Sequence, residues 1–136
     1  MITSDKQYAA AQQQLSMLSE SLSAPAKPEV PDVIEAAGKA QISQLIAEIQ
    51  ATMDEYQQLK KTQLSDIKIH SLADLMVTPI RYRISANMSI DAFGRKVNVS
   101  ARQIARYERE GYRNTNTSTL QKILQALNIR LDGQVN

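Results

Sequence analysis

The sequence predicts an all-α protein, an N-terminal helical hairpin of coiled-coil character followed by a compact domain of four or five helices. Three observations predict it. Apolar residues recur at alternating spacings of 3 and 4, the period of one helix face, along both halves of the chain. Gln, Ala, Leu, Ile and Ser are plentiful while Phe occurs once and Trp never, a balance that favours helix over sheet. The net charge of +2 also hides a split. Met1 to His70 holds six lysines, no arginine and nine acids, a net of −3; Ser71 to Asn136 holds eight arginines, two lysines and five acids, a net of +5. With 136 residues, 43% of them hydrophobic, there is material for one modest core and an elongated helical extension. The asymmetry suggests a polyanion-binding module attached to something else.

The first helix opens at Thr3 or Ser4, whose hydroxyl can accept a free backbone amide. Tyr8, Ala11, Leu15, Leu18 and Leu22 then form a heptad seam. It ends at SAPAKPEVP, where Pro25, Pro28 and Pro31 remove backbone donors and make a stiff connector. A second helix opens after Pro31 or Asp32 and carries Ile42, Leu45, Ile49, Thr52, Tyr56 and Leu59, with Ile46 and Met53 widening the stripe. Neither stripe is stable in water alone, so the two seams are expected to meet as an antiparallel hairpin. At about 30 residues the second helix outreaches the first by about a third, and its end near Tyr56 and Leu59 is expected to need another partner. Leu15, Leu18, Leu22, Ile49, Tyr56 and Leu59 are the candidate interface, within the chain, between two copies, or with a different protein.

The stretch KKTQLSDIKIHS has little period, which divides the chain into residues 1–65 and 66–136. His70, the single histidine, has Asp66 and Asp74 four residues to either side. A transition metal would want more nitrogen or sulfur ligands than the chain possesses, so the reading is a solvated linker histidine and no metal.

In the basic half, Leu72, Leu75, Met76, Ile80 and Ile84 have helical spacing with Pro79 among them, so this helix starts at Thr78-Pro79 or is kinked there. In MSIDAFGRKV, Ser89 is a natural N-cap and Ala92, Phe93 and Val97 give the inward face. Asn98 stops the helix, because it tolerates the left-handed conformation of a sharp turn. Ser100 caps the next helix, and two short helices joined this way make a helix-turn-helix unit. That next helix contains Arg102, Arg106 and Arg109, with Arg113 beyond it. At roughly 100° per residue the first three fall within about 60° of one another, while Ile104 and Tyr107 face the other way and Glu110 is the nearest acid. An arginine stripe on a lone helix is usually a solvated face. Bundled guanidiniums without carboxylates on the second helix of a helix-turn-helix repel one another unless an anion joins them, and a duplex would lie there.

From these residues Met88–Leu131 resembles the lambda-repressor and Cro class, the Xre-type helix-turn-helix family. Gly94, Val97, Asn98, Val99, Ser100, Ile104 and Tyr107 carry the motif in order, and STLQKILQALNIRL is similar to the family's next helix, with Leu120, Ile123, Leu124 and Leu127 closing the core and Asn128 in the turn. The resemblance implies a compact lambda-repressor-like domain. It puts Ala101, Arg102 and Arg106, with Gln103 helping, where base edges are read, and Ser89, Ser100, Arg109, Tyr112, Arg113 and Asn114 where the phosphate backbone is gripped. Two departures stand out. Ile90 replaces a glutamine that commonly touches phosphate, and Ala101 replaces a frequent polar reader. The loop GYRNTNTST is about one residue longer than the most familiar form.

An enzyme is not expected. Gly38-Lys39-Ala40 lacks the other elements of a phosphate loop, the four glycines make no GxGxxG, and one histidine is thin material for a triad. No motif calls for a cofactor. Without cysteine there is no disulfide or thiolate site. MITSDKQY has neither a basic start nor an apolar run, and no stretch reaches the ~20 apolar residues of a bilayer span, so a soluble cytoplasmic protein without a membrane partner is expected. The expected role is a DNA-binding transcriptional regulator, a repressor acting as a homodimer on a two-fold operator in double-stranded DNA. The alternative is an antitoxin whose acidic helices neutralise a toxin while its basic domain represses their operon. A third reading is an interaction protein that docks on nucleic acid without specificity.

Overall fold

The computed structural model describes residues 1–136 and contains helices and no strand. It comprises two compact units, residues 1–59 and 60–136. The division precedes the expected one at 65/66 because the segment after the second helix packs with the C-terminal half. Leu64, Ile67 and Ile69 line one groove with Thr78, Tyr82, Leu127 and Ile129.

The first unit holds α1 (Asp5–Ser23) and most of α2 (Asp32–Lys61). Ser4 caps α1, its hydroxyl accepting from the Gln7 amide, and the Gln7 side chain in turn accepts from the Thr3 amide at 2.8 Å. This reciprocal arrangement satisfies amides that would otherwise lack partners. Past Pro31 the chain turns helical at once, the Pro31 carbonyl accepting from the Ile34 and Glu35 amides. The two helices run antiparallel: the Tyr56 hydroxyl donates to Asp5 Oδ1 at 2.7 Å, and the Tyr8 and Tyr56 rings lie 5.8 Å apart. Tyr8, Ala11, Leu15, Leu18 and Leu22 are the half-buried positions of α1, whose other residues are all exposed.

This pairing reverses one expectation. The end of α2 near Tyr56 is covered by the start of α1, so Tyr56 is committed inside the hairpin and is not free to face a partner. With 30 residues against 19, the excess of α2 falls at its start, where Val33 is 81% and Ile34 61% exposed. The apolar stripe of α2 is as expected except at Leu45, with Thr52 and Leu59 half-buried as well. Ile42, Ile46 and Ile49 are half-buried and Met53 and Tyr56 buried, while Leu45 is exposed.

The second unit holds a short 3-10 turn (Leu64–Asp66) and four helices, α3 (Leu72–Ser85), α4 (Ile90–Val97), α5 (Ala101–Arg109) and α6 (Thr117–Ala126). Each helix is capped by a side-chain oxygen that accepts the amide three residues on: Ser71, Ser89, Ser100 and Asn116. Each ends in a left-handed residue, Asn87, Asn98, Gly111 or Asn128. The amide of the following residue then reaches back five positions: Met88 to Arg83, Val99 to Gly94, Tyr112 to Tyr107 and Ile129 to Leu124. That six-to-one bond marks the Schellman ending, which places an apolar residue just after each helix. Four short helices are thus stopped by the same device and turned inward by it.

α3 does not start at Thr78-Pro79. It begins at Leu72 behind the Ser71 cap and runs through Pro79, which is buried. Pro79 removes one intrahelical donor, and burial of its ring among core residues offsets the loss. The core gathers Ile80, Ile84, Phe93, Val97, Ile104, Tyr107, Tyr112, Ile123, Leu124 and Leu127. α4 is its centre, packing on both α5 and α6.

Candidate nucleic-acid interface

α5 is short, and three contacts fix its attitude. Ile104, with no exposed surface, and Tyr107 anchor its inner edge in the core. Gly94 of α4 lies against the turn so closely that a Cβ there would stand 2.5 Å from the Val99 carbonyl oxygen; a side chain at 94 would push the turn, and α5 with it, outward. The third contact is ionic. Arg83 Nε donates to Glu108 Oε2 at 2.6 Å and Nη2 to Oε1 at 2.8 Å, while Nη1 donates to the Met88 carbonyl at 3.1 Å. Both side chains are more than nine-tenths buried. A bidentate fork holds one geometry, so it ties α3 to α5 and to the loop before α4.

With the inner edge held, the outer edge is left to the arginines. Arg102, Gln103, Arg106 and Arg109 line a concavity of about 450 Å³ together with Ser100, and all five are exposed. None of Arg102, Arg106, Arg109 and Arg113 joins an ion pair, whereas Arg81 pairs with Asp74 and Arg83 with Glu108. The face is therefore a cluster of guanidiniums without counter-charge. Arg106 lies over the Tyr107 ring, its guanidinium carbon 5.3 Å from the ring centre, and the Tyr107 hydroxyl donates to Gln103 Oε1 at 3.4 Å. One buried tyrosine thus touches two of the outward side chains.

The remaining expected site residues separate. Ala101 is half-buried at the first position of α5 and lines a separate shallow depression with Gly94, Arg95 and Asn98, not the arginine-lined concavity. Ser89 and Ser100 accept the amides of Ala92 and Gln103, which leaves each hydroxyl proton available to an outside acceptor such as phosphate oxygen. Arg113 and Asn114 are exposed in the loop after α5. Tyr112 does not belong with them. It has no exposed surface, its ring lies 5.6 Å from Tyr107, and it cannot present its side chain to a phosphate. The reason is backbone: both Gly111 and Tyr112 take positive φ, which turns the longer loop inward. Burial drives the phenol well above its ordinary pKa, with the nearby Glu108 carboxylate adding to the rise. Its hydroxyl and that of Thr115 are buried without a hydrogen-bond partner in the protein.

Sequence reasoning missed the Arg83–Glu108 pair. Its signal was present, since Glu108 sits on the buried side of an otherwise arginine-rich helix, and an acid there requires a buried cation.

Comparison with known proteins is consistent with this geometry. Residues 80–134, from within α3 to the C-terminal tail, match a family model described as Helix-turn-helix. No curated protein and no solved structure matches the chain. No helix is long and apolar enough to cross a membrane.

Proposed function

We propose, on the premise that the C-terminal half is a DNA-binding domain of the Xre, lambda-repressor-type helix-turn-helix family, that the protein is a sequence-specific transcriptional repressor acting as a dimer. One observation carries the reading: the outer face of α5 bears unpaired arginines on a helix held rigidly from behind. Polyanion binding removes the repulsion among them. A helix at this place in the motif enters the major groove, where arginine pairs with guanine, and later helix and loop residues meet phosphate. Arg102, Arg106, Gln103 and Ala101 are the base-reading set. Ser89, Ser100, Arg109, Arg113 and Asn114 are the backbone set.

The dimer is supported by the first unit. α1 buries no residue fully, and the unmatched start of α2 exposes Val33 and Ile34. A second copy covering that surface would link two domains and set their reading helices about 34 Å apart, one turn of duplex. The acidity of residues 1–70, net −3, favours a second reading in which a basic toxin takes that surface and the protein is an antitoxin. Light scattering at tens of micromolar, with DNA and without, tests the dimer; a monomer in both conditions rejects it. Co-purification with the product of an adjacent gene would favour the antitoxin.

A further inference from the structure

The outward side chains of α5 are of one chemical kind. Arg102, Arg106 and Arg109 carry donors and no acceptor. Gln103 carries the one side-chain carbonyl on this face, and its Oε1 accepts from the Tyr107 hydroxyl at 3.4 Å, which occupies one of its two acceptor positions. Tyr107 is itself fixed, buried against Tyr112 on one side and carrying Arg106 on its ring. The acids of the region add no further acceptor. Glu108 is held by Arg83 in the interior, and Glu110 lies past the end of the helix, half-buried. Ser100 Oγ already accepts the Gln103 amide.

In the major groove, guanine presents two adjacent acceptors, N7 and O6, and thymine a single acceptor, O4, beside its methyl; adenine pairs an acceptor with a donor, and cytosine presents a donor. A surface of forked donors is best matched by guanine, the base with two acceptors side by side, and thymine supplies only one. Against adenine N6 or cytosine N4 it would leave two donors facing each other. Resting on the reading of α5 as the base-reading helix, we infer that each operator half-site presents clustered guanines to Arg102, Gln103 and Arg106, and that Tyr107 is a positioning residue that holds Gln103 through its Oε1.

The full-length chain is tested by selecting bound duplexes from a random pool. Guanine at two or more contacted positions of each half-site is expected, and replacing each by 7-deazaguanine, which lacks the N7 acceptor, should weaken binding about tenfold. Gln103→Glu puts an acceptor on the same exposed position and should exchange guanine for cytosine at one base pair. Tyr107→Phe keeps the ring and frees the Gln103 amide, so adenine should become acceptable at that same pair with the others unchanged. A purely structural role for Tyr107 would instead lower affinity for every sequence alike, and that result overturns its assignment. A selected site with A·T pairs at the contacted positions, or indifference to 7-deazaguanine, overturns the donor-face inference while leaving a sequence-specific regulator. Recovery of no common sequence overturns the regulator itself.

Discussion

The hairpin and the helix-turn-helix unit are built from the same element and hold together differently. In the hairpin, α1 has a half-buried seam and no fully buried residue. In the second unit, Phe93, Ile104, Tyr112 and Ile123 have no exposed surface at all. The hairpin buries Met53 to 4% and Tyr56 to 6% exposure, both on α2, and complete enclosure is found only in the second unit, where four helices meet. Their ends differ as well. All four α-helices of the second unit close on a left-handed cap, whereas α1 ends in an extended residue, Ala24. The second unit thus holds α5 in one attitude from behind, through Ile104, Tyr107 and the Arg83–Glu108 pair. The hairpin, with apolar surface left over at the start of α2, is suited to take its remaining stability from association.

The sharpest test of that contrast is ionic. Arg83→Ala should destabilise the second unit by about 3 to 5 kcal/mol, because it leaves the Glu108 carboxylate buried and uncompensated. Chemical denaturation measures it, and replacing both partners by apolar residues of similar volume should recover most of the loss. Next in size, Ile104→Ala should cost about 2 to 4 kcal/mol, from lost burial and the cavity left behind. The matching truncation in the hairpin, Leu18→Ala, starts from a half-buried side chain and should cost about 1 kcal/mol. Equal losses at the two positions would erase the distinction between seam and core.

Smaller effects probe the caps and the loop. Asn98→Ala should cost about 1 kcal/mol at its φ of 59°, while Asn98→Gly should be nearly neutral. Tyr112→Phe removes a buried hydroxyl that has no partner in the protein, so it should leave stability unchanged or raise it by up to about 1 kcal/mol. The pH dependence has a definite sign. The folded phenol holds its proton more tightly than the unfolded one, so its contribution is intact below the ordinary value of 10.0 and declines as pH rises above it. Thermal melts of wild type and Tyr112→Phe should therefore diverge in the alkaline range, with the variant less affected.

Much of the fold was legible because helical period and capping are local. Ser4, Ser89, Ser100 and Asn98 act where the sequence places them, and Ile104 and Tyr107 face inward as their spacing requires. What was not legible depends on distant residues. The hairpin register is set by Asp5 and Tyr8 meeting Tyr56, which no spacing within either helix reveals. Pro79 reads as a helix start or a kink, and the spacing alone does not choose; the Ser71 cap upstream starts the helix at Leu72, and it continues through the buried Pro79. Tyr112 reads as an exposed loop residue beside Arg113. Two successive left-handed residues, one of them the tyrosine itself, turn it inward.

The division of labour along the arginine stripe is tested most directly by salt titration of Arg102→Ala and Arg113→Ala on the selected operator and on a random duplex. Arg102 stands in the first turn of α5, so if that helix reads bases as proposed, its loss should weaken the operator roughly tenfold or more, relax preference at one base pair and affect the random duplex less. Arg113 lies in the loop and reaches only backbone, so its loss should weaken both duplexes about equally and reduce the salt slope by about one per half-site. If Arg102→Ala weakens both duplexes alike, the stripe is a phosphate clamp, and α5 binds DNA without reading it.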